Sequence, residues 1–314
     1  MVNKKAIVIG ISGCSSSGKT TLARLLRDIF PHTFILHEDD FYKPEDQIPM
    51  KDGLTDWDCE ESLSISDMES ALNHIHETGT FPVSDSSDNI PTPSSRRLSH
   101  RSDHGCCPPI LSTGPSSSPP PPSQSFIASK EDQNSIGQCP VPDDVISQQK
   151  TRVHEWLSTP RGQKVFSSGL SLCVLDGFLL YTPALSSIMS RLDIKLFLLV
   201  SRARATQRRE ARDGYVTLEG FWKDPPGYVD KIVWPNYAKS HAWLFEGGDV
   251  EGQLKVDVLE KERIKAQVGK GLDVDMSTTL EWAVGTVISE LERMVGEKEE
   301  TGERHSKNGG GGYQ

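Results

Sequence analysis

The chain has no Cys-x-x-Cys pair, no long apolar run and no basic excess. Each absence removes a class of protein. Its six cysteines are scattered over 314 residues, which reads as reduced thiols rather than a disulfide framework. Cys106-Cys107 follow His100 and His104, but the spacing fits no zinc pattern and reads as polar, unstructured sequence. No apolar stretch is long enough to span a bilayer, so no membrane role is expected. Lys4-Lys5 ahead of Ala6 to Ile11 resemble the start of a signal peptide. That run is too short and leads directly into a glycine turn, so it reads as a buried strand. The expected location is cytoplasmic, with a nuclear pool left open. A net charge of −10 argues against a general nucleic-acid or membrane-surface binder. Hydrophobic residues make up only 35%, so part of the chain should lie outside the core.

What is present is an alternation of strands and helices. Residues 5–12 (KAIVIGIS) read as a buried parallel strand, apolar and β-branched. Thr20 to Phe30 has helical spacing, with Leu22, Leu25, Leu26 and Ile29 on one face, and Pro31 stops it. Thr33 to His37 is a second strand, and Ser62 to Thr78 a helix. From residue 82 to 145 the composition shifts to Ser, Pro, Asp and Arg, including PSSSPPPPSQS at 115–125. Such sequence buries too little apolar surface to offset its ordering entropy, so a disordered insertion is expected. Its Arg96-Arg97-Leu98-Ser99 reads as part of a solvated low-complexity loop, with a phosphorylation or partner site as the alternative. Order resumes with a helix from Ile146 to Leu157. Strands follow at Ser171 to Leu175 and Ile194 to Val200, then a basic helix from Ser201 to Arg212 and an amphipathic helix from Ser277 to Val295. The tail from 296 to 314 should fray. Residues 1–81 and 146–295 thus read as one α/β domain with a parallel sheet covered by helices on both faces.

The chemistry starts at Gly13-Cys14-Ser15-Ser16-Ser17-Gly18-Lys19-Thr20. This is the full G-x-x-x-x-G-K-[ST] pattern, set between a buried strand and an amphipathic helix. The glycines permit backbone angles that a Cβ forbids. The loop then turns its N–H groups, with the helix dipole behind them, toward phosphate. Lys19 reaches the β- and γ-phosphates, and Thr20 offers its hydroxyl to Mg²⁺. Ser15, Ser16, Ser17 and Thr21 complete the ATP-facing set. The fold expected is therefore of the P-loop NTPase type.

Asp39 and Asp40 fall where the second strand ends, at the crevice of an open α/β sheet. A carboxylate there accepts a proton from an attacking hydroxyl or holds Mg²⁺; a solvated turn is the alternative. Asp176 closes its strand in the manner of a Walker B acid. Arg202, Arg204, Arg208, Arg209 and Arg212 crowd one short helix. With the segment after it, this reads as a helical lid over ATP that neutralises phosphate charge, against the plainer reading of a solvated face.

Four stretches carry a narrower resemblance: GISGCSSSGKTTLA at 10–23, HEDDFYKP at 37–44, LTDWD at 54–58 with VLDGFLLY at 174–181, and DPPGYVDKIVWPNY at 224–237. In this order the chain resembles the nicotinamide riboside kinases, within the uridine-kinase-like nucleoside kinases. The resemblance implies ATP and Mg²⁺ as cofactors and a small nucleoside as substrate, phosphorylated at its 5′-hydroxyl for NAD synthesis. It implies Asp39 as general base and Lys19 as its catalytic companion. Thr20, Asp39 and Asp176 would sit at the metal. Asp58 and Arg209 would hold the ribose hydroxyls, Trp57 would stack on the pyridinium ring, and Tyr42 would wall the pocket with Asp40 nearby. Arg208 and Arg212 would serve ATP. Stacking on Trp57 suits a flat ring with a fixed positive charge. Uridine/cytidine kinase and a nucleotide-binding scaffold are the competing readings. Asp213 to Lys223 does not align cleanly with the family, and residues 247–276 diverge too far from it to place an adenine-holding loop. No protein partner is legible.

Overall fold

The computed structural model describes residues 4–82, 139–167, 169–212, 214–216 and 221–308. Most of the expected insertion, with Arg96 to Ser99 and Cys106-Cys107, lies outside the described residues. So do Asp213 and residues 217–220 of the expected lid.

The elements run in chain order as follows. β1 (Ala6–Gly13) leads into α1 (Lys19–Ile29), then β2 (Thr33–His37) and a 3₁₀ turn at Glu38–Phe41. A small hairpin, β3 (Met50–Lys51) and β4 (Leu54–Thr55), precedes α2 (Ile65–Thr78). α3 (Asp143–Leu157), α4 (Pro160–Phe166), β5 (Ser171–Gly177), α5 (Ser186–Met189) and β6 (Ile194–Leu198) follow. Next come α6 (Arg202–Glu210) and a second small ladder, β7 (Tyr215–Val216) with β8 (Phe221–Trp222). α7 (Trp234–His241), α8 (Val256–Glu262), β9 (Ile264–Ala266) and α9 (Met276–Asn308) complete the chain.

Five strands form one sheet in the order β2-β5-β1-β6-β9, every neighbour parallel. Alternation along β1 divides the core. Ile7, Ile9 and Ile11 face α1, α3 and α9 through Leu22, Leu26, Val153, Leu280 and Val284. Ala6 and Val8 face the other way, into a cluster with Met68, Leu72, Phe197 and Leu244. This is the doubly covered parallel sheet expected of a P-loop fold. Its strand ends place the phosphate loop, the β2 turn and the β5 turn along one edge.

Several boundaries differ from expectation. α2 starts at Ile65, because Glu60–Ser62 forms a separate 3₁₀ turn. α9 continues to Asn308 rather than ending at Val295. Gly296 suggests a stop, but the Glu- and Lys-rich residues beyond are good helix formers, and the helix continues through both Gly296 and Gly302. The strand β9 has no signature in its three residues. Val229–Val233 widens into a π-turn ahead of α7, where Pro235 in the first turn supplies no N–H.

Candidate active site

The phosphate loop closes as its sequence predicts. Gly13 has φ 150°, and a Cβ placed there would lie 2.5 Å from the Leu198 carbonyl oxygen. Gly18 has φ 99°, and a Cβ there would lie 2.3 Å from the terminal methyl of Met276. Only glycine fits either place. Ser16 takes a left-handed φ of 65° between them. No side chain caps α1, so its first-turn N–H groups face the loop's concavity. The hydroxyls of Ser16 and Ser17 are buried without a hydrogen-bond acceptor or donor. Orphaned polar atoms around a helix N-terminus are what a phosphate chain would satisfy. Thr21 follows on the same first turn.

Lys19 is buried and donates from Nζ to the Cys14 carbonyl at 2.9 Å. Burial lowers its pKa, opposed by Cys14 and by the carboxylates of Asp176 and Asp39. Burial pushes the Cys14 thiol up to about 12, so this cysteine in the loop is no nucleophile.

Thr20 Oγ1 donates to Asp176 Oδ2 at 2.5 Å, and His37 Nδ1 meets Asp176 Oδ1 at 2.5 Å. Burial pushes the Asp176 pKa up, but the His37 charge and hydrogen bond, the Thr20 hydroxyl and Lys19 outweigh it. The net direction is down, which keeps Asp176 ionised. Asp39 lies on the 3₁₀ turn after β2 and is exposed. Its pKa is raised, first by reduced solvation against the crevice wall and then by the Asp176 charge. Because the group is open to water on one side, that solvation loss is partial. Asp40 is next on the same turn.

Glu38 has no distinguishing signal in the sequence. It is fully buried, and its Oε2 accepts from the backbone N–H of Phe178 at 2.6 Å and of Leu179 at 3.2 Å. Burial raises it to about 8. Its role is to clamp the turn after Asp176 against the turn that carries Asp39.

Tyr42, Trp57, Phe178 and Trp222 form an aromatic cluster. Tyr42 meets Trp57 edge-on at 5.3 Å and stacks on Phe178 at 6.4 Å; Trp57 meets Trp222 at 6.0 Å. Tyr228 supports them from below. Its hydroxyl donates to the Thr55 carbonyl at 2.9 Å and accepts from the Trp57 N–H at 3.1 Å. Beneath lie Val229, Ile232 and Val233. Asp56 fixes the segment by accepting twice from Asn236 Nδ2, at 2.8 and 2.9 Å, and once from the Asp58 N–H.

Arg209 joins the two halves. It is 8% exposed. NH1 donates to Ser15 Oγ at 2.8 Å and to Asp58 Oδ1 at 3.0 Å, and NH2 to Asp58 Oδ2 at 3.2 Å. Nε and NH2 donate to Asp224 at 2.6 and 3.2 Å. The guanidinium also lies 5.4 Å from the Tyr228 ring centre. Asp224 in turn accepts from Trp222 Nε1 at 3.0 Å. Arg208 donates to the Ser16 carbonyl at 3.2 Å, and Arg212 lies half-buried just past the end of α6. The resemblance assigned roles to Asp58 and Arg209 but none to Trp222, Phe178, Tyr228 or Asp224. Aromatic residues in a Gly/Pro-rich segment with an acid at 224 were the available signal.

Among the described residues no cluster of three or more His, Cys, Asp or Glu could hold a metal alone. No described helix is long and apolar enough to cross a membrane.

No protein-family model matches the chain. It is 31% identical to the nicotinamide riboside kinase of Schizosaccharomyces pombe, over 93% of this chain and the whole of that protein. It is 28% identical to the nicotinamide riboside kinase of Saccharomyces cerevisiae, over 92% of this chain and 98% of that one. Against human nicotinamide riboside kinase 2 the identity is 27% over 74% of this chain and 66% of that protein. Nearly full-length similarity of this kind, over a fold with a phosphate loop and an adjoining aromatic cluster, makes the chain a member of the nicotinamide riboside kinase family.

Proposed function

We propose that the protein transfers the γ-phosphoryl group of ATP to the 5′-hydroxyl of nicotinamide riboside, forming nicotinamide mononucleotide for NAD synthesis. The observation that carries this is Arg209. Its guanidinium bonds Ser15 of the phosphate loop and Asp58 of the acceptor segment at once, so donor and acceptor sites adjoin. In the reaction the O5′–Pγ bond forms and the bond from Pγ to the β,γ-bridging oxygen breaks. The hydroxyl proton passes to Asp39, and ADP leaves. The raised pKa of Asp39 suits a base. Lys19 and the loop N–H groups hold the phosphates, and Arg208 and Arg212 add charge from α6. Asp58 and Arg209 hold the ribose hydroxyls. Trp57, walled by Tyr42 and Trp222, offers a π-face to the pyridinium cation.

The residues present fit Mg²⁺. Thr20 and Asp176 supply a hydroxyl and an ionised carboxylate beside the loop, with Asp39 near them. A short protein donor set is the usual arrangement where phosphates and waters complete an octahedron. Bound there, Mg²⁺ would offset charge on the β- and γ-oxygens.

The test is ADP release with nicotinamide riboside, nicotinic acid riboside, uridine and cytidine, using Asp39→Asn as control. Turnover on the pyridine ribosides, reduced roughly 10²- to 10⁴-fold in the variant, is the expected result. Turnover confined to uridine or cytidine would refute the substrate assignment, and full activity in the variant would refute the base.

A further inference from the structure

We infer that His37 is a positioning residue that fixes which oxygen of Asp176 faces the nucleotide. The inference rests on the reading of Thr20 and Asp176 as the metal-holding pair. The geometry behind it is set by the sheet. β2 and β5 run parallel and in register, so their last paired residues, His37 and Asp176, stand side by side at the crevice edge. The carboxylate of Asp176 is 5% exposed and the imidazole of His37 17%. His37 Nδ1 engages Oδ1 at 2.5 Å, and Thr20 Oγ1 engages Oδ2 at 2.5 Å.

A carboxylate alone at a strand end keeps broad freedom about χ2. Here both oxygens are claimed, by donors from two different elements. With Oδ1 held by the imidazole, Oδ2 is the oxygen turned toward α1. Thr20 gives its proton to Oδ2, so the lone pairs of its hydroxyl remain to face a cation. The contact with a carboxylate also makes Nδ1 the protonated ring nitrogen. Partners of this kind orient a ligand before the metal arrives, and their loss commonly costs 10- to 100-fold in metal affinity. In this arrangement His37 acts through Asp176.

The experiment is calorimetry of ADP binding to the full chain, with and without MgCl₂, for the wild type, His37→Ala and His37→Asn. Metal-free ADP affinity should stay within about twofold in both variants, which also shows that they fold. The Mg²⁺ enhancement of ADP affinity should fall roughly 10- to 100-fold in His37→Ala. It should largely return in His37→Asn, whose side-chain amide offers a donor near the Nδ1 position. An alanine variant with wild-type enhancement overturns the positioning role while leaving the metal reading intact. Equal losses with and without Mg²⁺ would mean that His37 is merely structural, and overturn it too. A wild type with no Mg²⁺ enhancement removes the metal reading itself, and the role of His37 with it.

Discussion

Replacing Arg209 by Met would test the centre of the site. The guanidinium donates to Ser15, to both oxygens of Asp58 and to both of Asp224. Met preserves much of the stem's bulk but leaves two carboxylates facing each other without their cation. Arg209 and Asp58 are 8% and 4% exposed, so solvent screens little of the loss. Removing one partner of a buried ion pair costs about 3–5 kcal/mol. In a chain of this size that is on the order of 10 °C in Tm. The loss should also depend on pH. Burial raises the Asp58 pKa and Arg209 lowers it; the variant keeps the first influence and drops the second. The folded variant then holds a proton on Asp58 at pH values where the unfolded chain has released it. Its stability is full below the unfolded pKa and falls as pH rises through the folded one. Urea unfolding at pH 5 and pH 8 measures both effects. A loss below about 1 kcal/mol at pH 8, or one that shrinks as pH rises, would refute the reasoning.

Two further outcomes follow from the same geometry. Trp57→Leu should lower kcat/KM for nicotinamide riboside roughly 2- to 30-fold, the span of about 0.5–2 kcal/mol for a cation over an aromatic face. Unchanged steady-state kinetics would remove the stacking role. His241 is fully buried, with Nδ1 donating to the Tyr237 carbonyl at 3.0 Å and its ring stacked 5.5 Å from Phe197. Burial lowers it from 6.5 to about 4. Between those values the unfolded chain takes up a proton that the folded one refuses. This contribution is intact above pH 6.5 and is lost as pH falls toward 4, by roughly 3 kcal/mol in all. His241→Phe should be relatively less sensitive to acid, read as the difference in unfolding free energy between the two proteins across that window. A difference that does not change with pH would refute it.

How far the sequence revealed this site depended on how local each signal was. The phosphate loop was legible because its glycines, lysine and threonine act within eight consecutive residues, and the flanking strand and helix show their own periodicity. β1, β2, β5 and β6 were readable as apolar runs; β9 was not, because three residues carry no pattern. Asp39 and Asp176 could be singled out because each lies at or just past the end of a recognisable strand. The partners that give those acids their character could not. His37 meets Asp176 only through the β2–β5 register, and Glu38 reaches the 178–179 backbone across two turns. Trp222 and Asp224 join the pocket only when the segment after α6 folds back on it. The β7–β8 ladder holds that return.

The position of β1 in the sheet has a consequence for how the enzyme comes into being. The strand that launches the phosphate loop lies at the centre, yet both of its neighbours, β5 and β6, come from the second half of the chain. The residue that closes over Gly18 is Met276, at the start of the last helix. The nucleotide-binding motif is thus synthesised before both strands that flank β1 and before the residue that closes over Gly18. Contacts so distant in sequence form slowly, and nascent chains ending before β9 would carry the motif without the site. Nucleotide affinity therefore serves as a reporter of completed folding: in a refolding experiment, ATP should stabilise the final state while leaving the earliest phases untouched.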